Sequence, residues 1–376
     1  MRNIICCFLF LISLSSPGQK TTINLQISSS SDPEIIAVRN FWQSYLDDLK
    51  TSPLTNKESI QKKYWNNIEL QQGFTDITLG EFPFYTIGEL LTFEITKESN
   101  GFYRIRCMVL IINSTIRSVF SIYDVYAKKD QSDFKLYNHF FFTKPKLQHF
   151  QTGKIDFYYP TSYNFNIAKA KLTAESYAKF SNLYGNMDNR KVTYIIGNTF
   201  NEANNYIGFD FSIVSSNSPS AGYYVDNQNI ILCSREDHLH EIIHAALNPL
   251  SANVPSLFKE GIATYYGGSG GNNYPYLIDQ LKNMINNNRD IDLSKIEDLD
   301  KTLDNGSNYF YTIGAIFIDY ALKIGGTKKV LALFQYSASS PSNWDDPISA
   351  IKKELGIEKD QIDFFLKQYV KEYKAN

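Results

Sequence analysis

The 376-residue chain has few cysteines and little net charge. Two of its four cysteines lie in an apolar run at the N-terminus, so only Cys107 and Cys233 remain for the rest of the chain. Two cysteines exclude a disulfide framework, although one bridge between them stays open. A formal net charge of -2 gives no support for binding to nucleic acid or to an anionic membrane surface. After the N-terminus, no run of residues is apolar enough to predict a membrane span.

The N-terminus has the composition of a secretory signal peptide. MRNIICCFLFLISLSSPGQK has one Arg before an apolar run from Ile4 to Leu14, and small and polar residues follow. The run is shorter than the roughly 20 residues that a spanning helix needs. We predict residues 1–18 as a signal peptide, cleaved between Ser16 and Lys20, and hence a secreted or periplasmic protein. An uncleaved anchor is the alternative.

The chain is long enough for two domains. We predict an N-terminal α+β domain over residues 19–158. Its helical pattern begins at Asp32, where Pro33 suits the first turn of a helix. Three aromatic and β-branched stretches, at 102–112, 118–129 and 134–142, predict strands. This pattern of a helix and an antiparallel meander resembles the cystatin-like or NTF2-like α+β sandwich.

A second domain is predicted over residues 159–376. The stretch YYPTSYNFN at 158–166 suits a junction, and helical periodicity follows from Ile167 to Tyr184. KVTYIIG at 191–197 predicts a buried strand, and GYYV with NIILC predicts a hairpin at 222–225 and 229–233. Mainly helical patterns make up the remainder, so the whole chain is assigned to the α+β class.

Histidine is also scarce, with five residues, and two of them lie in LHEIIH at 239–244. The surrounding sequence predicts a helix. Ser234 and Asp237 fit a capping box, which places the start near Arg235. Asn248, which precedes a proline, marks the end. The chemical question is whether the two histidines form part of a site or are polar residues of an ordinary helix.

The helical wheel favours a site. At about 100° per residue, His240, Glu241 and His244 share one arc, and apolar side chains fill the rest of the circumference. Residues four apart on a helix lie about 5–6 Å apart, so two imidazoles can bind one zinc ion. Glu241 is awkwardly placed to bind the same ion, but it can take a proton from a water on it.

A catalytic zinc ion needs a third protein ligand and an open fourth position. PSLFKEGIATYYGG at 255–268 predicts a second helix, with a proline suited to its first turn and two glycines suited to its end. This helix offers Glu260. Two antiparallel helices can present His240, His244 and Glu260 to one point, and a His₂Glu set is a ligand type of known zinc peptidases.

HEIIH followed by KEGIATYY resembles the gluzincin superfamily of zinc metallopeptidases, and KEGIATY is similar to an element of the M1 aminopeptidases. The resemblance covers roughly residues 165–376. It implies a thermolysin-like catalytic domain in which a small mixed sheet is followed mainly by helices. It also implies one Zn²⁺ per chain, Glu260 as the third ligand and Glu241 as the general base. The downstream YTIGAIFIDYALKIGG makes Tyr311 the candidate that hydrogen-bonds the oxyanion, with Tyr309 next.

The chain departs from the family at two elements. The G-x-M-E-N element, which binds a substrate's amino terminus in M1 aminopeptidases, is absent, so endopeptidase activity is favoured over aminopeptidase activity. In its place AGYYVDNQNIILCS predicts an edge strand beside the site, on which an extended peptide could pair. Thr264 stands where thermolysin-type enzymes have an aspartate. Support for the histidine ligands must then come from elsewhere, with Asp226 and Asp237 as candidates.

The remaining histidines are interpreted as structural. His238 points about 200° away from His240 on the helical wheel, so it is expected to be a surface or packing residue. His139 and His149 have no partner pattern. The sequence therefore predicts an exported zinc metallopeptidase that acts on peptide or protein substrates. Two alternatives stay open: an inactive binding protein on the same fold, and a zinc hydrolase of a non-peptide amide or ester. Nothing in the sequence indicates an oligomeric state.

Overall fold

The structure is a computed structural model of the chain. It describes residues 20–51, 57–66, 88–112, 117–131, 133–185, 190–212, 221–226, 228–248, 250, 254–288, 290–295, 303, 308–336 and 345–374. The predicted signal peptide therefore lies outside the described residues.

The described helices and strands follow one another along the chain as β1 Lys20–Ile23, α1 Leu25–Ser28, α2 Pro33–Thr51, α3 Lys57–Tyr64, β2 Gly88–Lys97, β3 Phe102–Ile112, β4 Arg117–Asp130, β5 Asp133–Asn138, α4 Phe140–Thr143, β6 Gln148–Thr152, β7 Ile155–Tyr159, α5 Ile167–Tyr184, β8 Val192–Ile196, α6 Phe200–Tyr206, β9 Phe209–Ser212, β10 Gly222–Val225, β11 Ile230–Cys233, α7 Leu239–Leu247, α8 Ser256–Gly267, α9 Tyr274–Asn287, α10 Tyr309–Phe334, α11 Asp345–Ala350 and α12 Ile362–Glu372.

The first sheet has the order β1-β2-β3-β4-β5, with β9 also paired to β4. The β1–β2 pair is parallel and the others are antiparallel. Helix α2 begins where predicted, because the Asp32 carboxylate accepts a hydrogen bond from the Glu34 amide at 2.8 Å. Its fully buried Trp42 donates to Thr92 on β2 at 2.9 Å, which joins the helix to the sheet.

Two of the three predicted strands are confirmed, and the third is wrong at its end. Residues 139–142 were expected to continue β5, but the chain turns into α4 at Phe140. The reason lies on β4. Beyond Val125, which pairs with Asn138, the same edge of β4 is occupied by Gly208 and β9. An extension of β5 would have no free backbone groups to pair with, so the aromatic run packs as a short helix instead.

The second sheet has the order β10-β11-β8-β7-β6 and contains both parallel and antiparallel pairs. Alternate side chains along it enter different cores. Tyr194 and Ile231 pack with the helices that follow, whereas Ile195 and Leu232 pack with the first sheet. Strands β8 and β11 are buried on both faces, which explains their continuous apolar sequences.

The predicted division at residue 158 does not separate the two sheets. Strands β6 and β7, at 148–159, already belong to the second sheet, and β9 returns to the first. Sheet pairing alone does not define domains, so the two domains stay a prediction. The mixture of helices and mixed sheets is compatible with the predicted α+β class. Cys107 and Cys233 are both buried and free, and no described helix has the length and apolarity of a membrane span.

Beyond the second sheet the described chain is mainly helical, as expected. Helix α10 is the centre of this part. It contacts α8, α9 and α12, and most of its first three turns is buried. Asp319 on α10 is buried and accepts hydrogen bonds from Tyr274 of α9 at 3.3 Å and from Tyr369 of α12 at 2.6 Å. These bonds join α9 and the C-terminal helix α12 to α10, which contacts the candidate site.

Candidate metal centre

Helix α7 contains HEIIH, and it begins at Leu239 and not near Arg235 as predicted. The expected capping box does not form, because the tertiary structure uses the preceding residues differently. The carbonyl of Arg235 accepts a hydrogen bond from the buried Tyr194 hydroxyl at 2.9 Å. The carbonyl of Glu236 accepts one from Thr173 at 2.8 Å. These two carbonyls are bonded to side chains of β8 and α5, and the helix starts only after them. Its end, with Asn248 as C-cap, is confirmed.

Two glycines of α8 allow close approach to neighbouring helices, one to α7 and the other to α10. A Cβ at Gly267, at the end of α8, would lie 2.4 Å from the backbone nitrogen of His240. A Cβ at Gly261 would lie 2.4 Å from the carbonyl carbon of Gly314 on α10. Helices α8 and α10 therefore cross in backbone contact one residue from Glu260 and one turn from Tyr311. The glycine of the KEGIATY element allows this crossing.

The structure brings His240, His244 and Glu260 together. One Glu260 carboxylate oxygen lies 3.2 Å from His240 Nε2 and 3.4 Å from His244 Nε2. All three ligand atoms lie within 4.8 Å of one another. Tetrahedral zinc bonds of about 2.0–2.1 Å separate neighbouring ligand atoms by about 3.3–3.4 Å. The two distances to Glu260 match this separation, and the two imidazole nitrogens, at most 4.8 Å apart, must approach each other to bind the same ion.

A backbone carbonyl orients the first histidine. His240 Nδ1 donates to the carbonyl oxygen of Gly268 at 2.7 Å. A proton on Nδ1 leaves the Nε2 lone pair for a metal ion, as in most histidine zinc sites. Sequence reasoning missed this group, because every residue has a backbone carbonyl and the residue type does not show which one accepts a hydrogen bond. The pair of glycines at 267–268 indicated the helix end but not its role.

The two predicted supporting aspartates lie elsewhere. Asp226 forms an ion pair with Lys259, and Asp237 forms one with Lys169 at 3.0 Å. Neither carboxylate has a contact with the histidine ligands among the described bonds. Thr264, in place of the thermolysin-type aspartate, is fully buried one turn beyond Glu260.

The electrostatics of the three side chains are coupled. Burial disfavours the imidazolium of His240, but its hydrogen bond to Glu260 and the charges of Glu241 and Glu260 outweigh burial and raise its pKa to about 9. Burial likewise opposes ionisation of Glu260, yet the two histidines hold the pKa of its carboxyl well below the usual range. The cluster is thus a concentrated negative charge beside two imidazoles, which suits a divalent cation once the histidines lose their protons.

Glu241 is buried at the start of α7, with 7% of its surface exposed. It lies beside β10, because a Cβ built on Gly222 would be 2.9 Å from Glu241 Cγ. Within the part of the chain that the structure describes, strand β10 lies at one edge of the second sheet and pairs with β11. The sequence-based expectation of an edge strand next to the site is confirmed in this respect.

The two tyrosine candidates differ in position. The ring of Tyr311 is partly buried and lies 6.2 Å from the ring of His240, centroid to centroid. Tyr309 is fully buried, and its hydroxyl donates to the carbonyl of Lys295 at 2.8 Å. Tyr309 is therefore occupied in the core, and Tyr311 remains the tyrosine next to the cluster.

The other three histidines lie outside the cluster. His238 is buried, so the packing interpretation holds and the surface interpretation does not. His139 directly precedes α4 and makes no capping hydrogen bond, and burial together with the charges of Lys146 and Arg104 lowers its pKa to about 4. His149 contacts Asp156 at 2.9 Å.

Comparisons with known proteins give only distant likenesses. No family model and no curated protein matches the chain. Similar solved structures include a variant of a two-domain M1 zinc metallopeptidase bound to L-tryptophan, with 11% identity and a TM-score of 0.37 over 74% of this chain and 62% of that chain. A variant of an M1 zinc metallopeptidase from Deinococcus radiodurans has 12% identity and a TM-score of 0.37 over 77% of this chain and 64% of that chain. A variant from the same organism bound to a Tyr-Ser-Ala substrate has 12% identity and a TM-score of 0.38 over the same shares. This chain spans less than two thirds of each of these structures.

Proposed function

We propose that the protein is a zinc-dependent metallopeptidase that hydrolyses peptide bonds. The observation that supports this most is the convergence of His240, His244 and Glu260 on distances that suit tetrahedral zinc, with Glu241 beside them. These residues come from two helices and would hold one Zn²⁺ per chain. Zn²⁺ bound there would act as a Lewis acid and make water a nucleophile near neutral pH.

Glu241 acts as the general base in this proposal. It takes a proton from the attacking water and then passes it to the leaving nitrogen of the cleaved bond. Its burial beside the ligands keeps bulk water from competing for that proton. Tyr311, whose ring lies 6.2 Å from that of His240, donates a hydrogen bond to the oxyanion that develops on the substrate carbonyl.

Strand β10 supports a preference for internal bonds. None of the described strands pairs with its outer edge, whose backbone groups can then pair with an extended peptide. Because pairing along a strand uses the peptide backbone on both sides of a cleaved bond, it favours endopeptidase activity. We further propose that the protein is exported, on the basis of the N-terminal residues that resemble a signal peptide.

The test is cleavage-site profiling of purified, zinc-loaded protein on a diverse peptide library, with Glu241→Gln as the matched variant. Gln keeps the size of the side chain but cannot accept the proton. We expect about one zinc per chain in both proteins and turnover lower by at least about 10²-fold in the variant, as general-base removal predicts. Equal turnover by both proteins refutes the mechanism. Zinc binding without any peptide cleavage favours a binding protein, and cleavage of only non-peptide amides or esters favours the other hydrolase.

A further inference from the structure

Strand β10 runs beside α7 for most of the length of the helix. At one end, Gly222 lies against His238 and Glu241. At the other end, Tyr224 accepts a hydrogen bond from the side-chain amide of Asn248, the C-cap of α7, at 2.7 Å. Gly222 and Tyr224 occupy the same face of the strand, because side chains alternate along it. Gly222, the position on this face without a side chain, is thus the one that lies against Glu241, the proposed catalytic base.

The space that a side chain at position 222 would need is already filled. A Cβ there would lie 2.7 Å from Nε2 and 2.8 Å from Cδ2 of His238, and 2.9 Å from Cγ of Glu241. Carbon atoms in ordinary contact are about 3.5–4.0 Å apart. The strand at Gly222 therefore packs directly against the imidazole of His238 and against the stem of Glu241, and only glycine at position 222 permits this.

His238 is held in place from the opposite side. Its backbone nitrogen donates to the Tyr194 hydroxyl at 3.2 Å, and the same hydroxyl donates to the carbonyl of Arg235 at 2.9 Å. Tyr194 lies on β8 and is fully buried, whereas 6% of His238 is exposed. The sheet thus fixes the backbone of His238, whose imidazole lies against Gly222.

We propose that Gly222 and His238 are positioning residues for Glu241. Gly222 lies against the Cγ atom of Glu241, and His238 packs against the same glycine and holds the strand there, so that few rotamers of Glu241 remain and the carboxylate is held toward the metal ligands. A free glutamate side chain samples many rotamers, and a displacement of about 1 Å in a catalytic group can reduce the rate by about 100-fold. The inference rests on the proposed function, because it assigns a task to residues around the same base.

The first test is Gly222→Ala, compared with Tyr224→Phe. The added methyl must push Glu241 or His238 by about 0.5–1 Å, so we expect kcat to fall about 10–100-fold with KM and zinc content little changed. Tyr224→Phe lies on the same strand and face and removes the phenol's bonds to Asn229 and Asn248, both 2.7 Å. It should lower the unfolding temperature and change kcat far less than Gly222→Ala does, because it leaves the backbone of β10 and the space around Glu241 intact. The proposal is overturned if kcat falls in both variants and the fall is explained by their loss of stability or of bound zinc.

The second test is His238→Ala, alone and combined with Gly222→Ala. The single His238→Ala variant should lose about 10-fold in kcat because Glu241 gains freedom. The double variant should be no slower than His238→Ala, because the added methyl then enters the space that the imidazole leaves. Losses that multiply instead overturn the proposal, since they would mean that the two residues act independently.

Crystal structures of zinc-loaded wild type and Gly222→Ala provide a measurement that does not depend on turnover. We expect the Glu241 carboxylate to shift by at least about 0.5 Å relative to the ligands. An unmoved carboxylate overturns the proposal even if the protein cleaves no peptide. Absence of cleavage by wild type, in contrast, refutes the proposed function while the structural comparison still decides the positioning role.

Discussion

The crossing of α8 and α10 gives the sharpest prediction about the centre. A Cβ at Gly261 would lie 2.4 Å from the carbonyl carbon, 2.6 Å from the carbonyl oxygen and 2.8 Å from the Cα atom of Gly314. These are backbone atoms, which cannot rotate away as a flexible side chain can. Gly261→Ala must therefore separate the two helices by about 1 Å to reach ordinary contact distances.

The separation has a calculable cost. Overpacking of a core costs about 1–3 kcal/mol, and the better helix propensity of alanine offsets at most about 1 kcal/mol. We expect the free energy of unfolding of the metal-free protein to fall by about 1–2 kcal/mol. Glu260 precedes Gly261 and would move with α8. Because ligand distances tolerate only about ±0.2 Å, we expect zinc affinity to weaken by about 10–100-fold.

Urea denaturation measures the first quantity, and competition for zinc with a chromophoric chelator measures the second. Gly325→Ala is the matched control, since it adds the same methyl to α10 at an exposed position. There the new Cβ would lie 2.9 Å from the Cβ of Lys329, a partly exposed residue of the same helix, so that relief does not need two buried helices to separate. If Gly261→Ala equals Gly325→Ala within about 0.5 kcal/mol in stability and about twofold in zinc affinity, the crossing does not position Glu260.

Two further predictions concern residues near and far from the centre. Tyr309→Phe removes the bond to the Lys295 carbonyl and should lower the free energy of unfolding by about 1 kcal/mol with turnover unchanged. Tyr311→Phe should lower kcat about 100-fold with stability unchanged. The reverse pattern would mean that the two tyrosines have exchanged roles. A histidine ordinarily has a pKa of 6.5, and burial lowers the pKa of His139 to about 4. Between these pH values the unfolded chain binds a proton that the folded chain does not. The free energy of unfolding should therefore fall as the pH drops from 6.5 toward 4, by at most about 3 kcal/mol. His139→Gln should remove this part of the acid sensitivity in urea titrations at several pH values, and equal pH slopes for the variant and wild type would show that another group is responsible.

The strands show where local patterns suffice. β3 has the predicted bounds, since its alternating side chains place Ile105 and Cys107 in the core and Arg104 and Arg106 on the other face. The end of β5 could not be predicted, because it depends on β9, which is more than seventy residues away and takes the same edge of β4. Strand propensity contains no information about which edge is free.

The start of α7 fails for a similar reason. Ser234 and Asp237 have the spacing of a capping box, but the carbonyls of Arg235 and Glu236 are bonded to residues of β8 and α5. Two distant hydroxyls, those of Tyr194 and Thr173, therefore hold the residues on which a capping box would have formed. The error does not affect the ligands, because His240 and His244 still lie one turn apart.

The sequence alone determined the parts of the candidate centre that depend on helical periodicity. The spacing of His240 and His244 puts both imidazoles on one face of α7, and the KEGIATY element identifies Glu260 on another helix. Tertiary structure decided the rest, because those groups meet through contacts between distant segments. The glycine crossing of α8 and α10 places Glu260, and the carbonyl of Gly268 orients His240. Strand β10 passes Glu241 where position 222 has no side chain. Periodicity describes neighbours within a turn, whereas close approach of backbones depends on how whole elements pack.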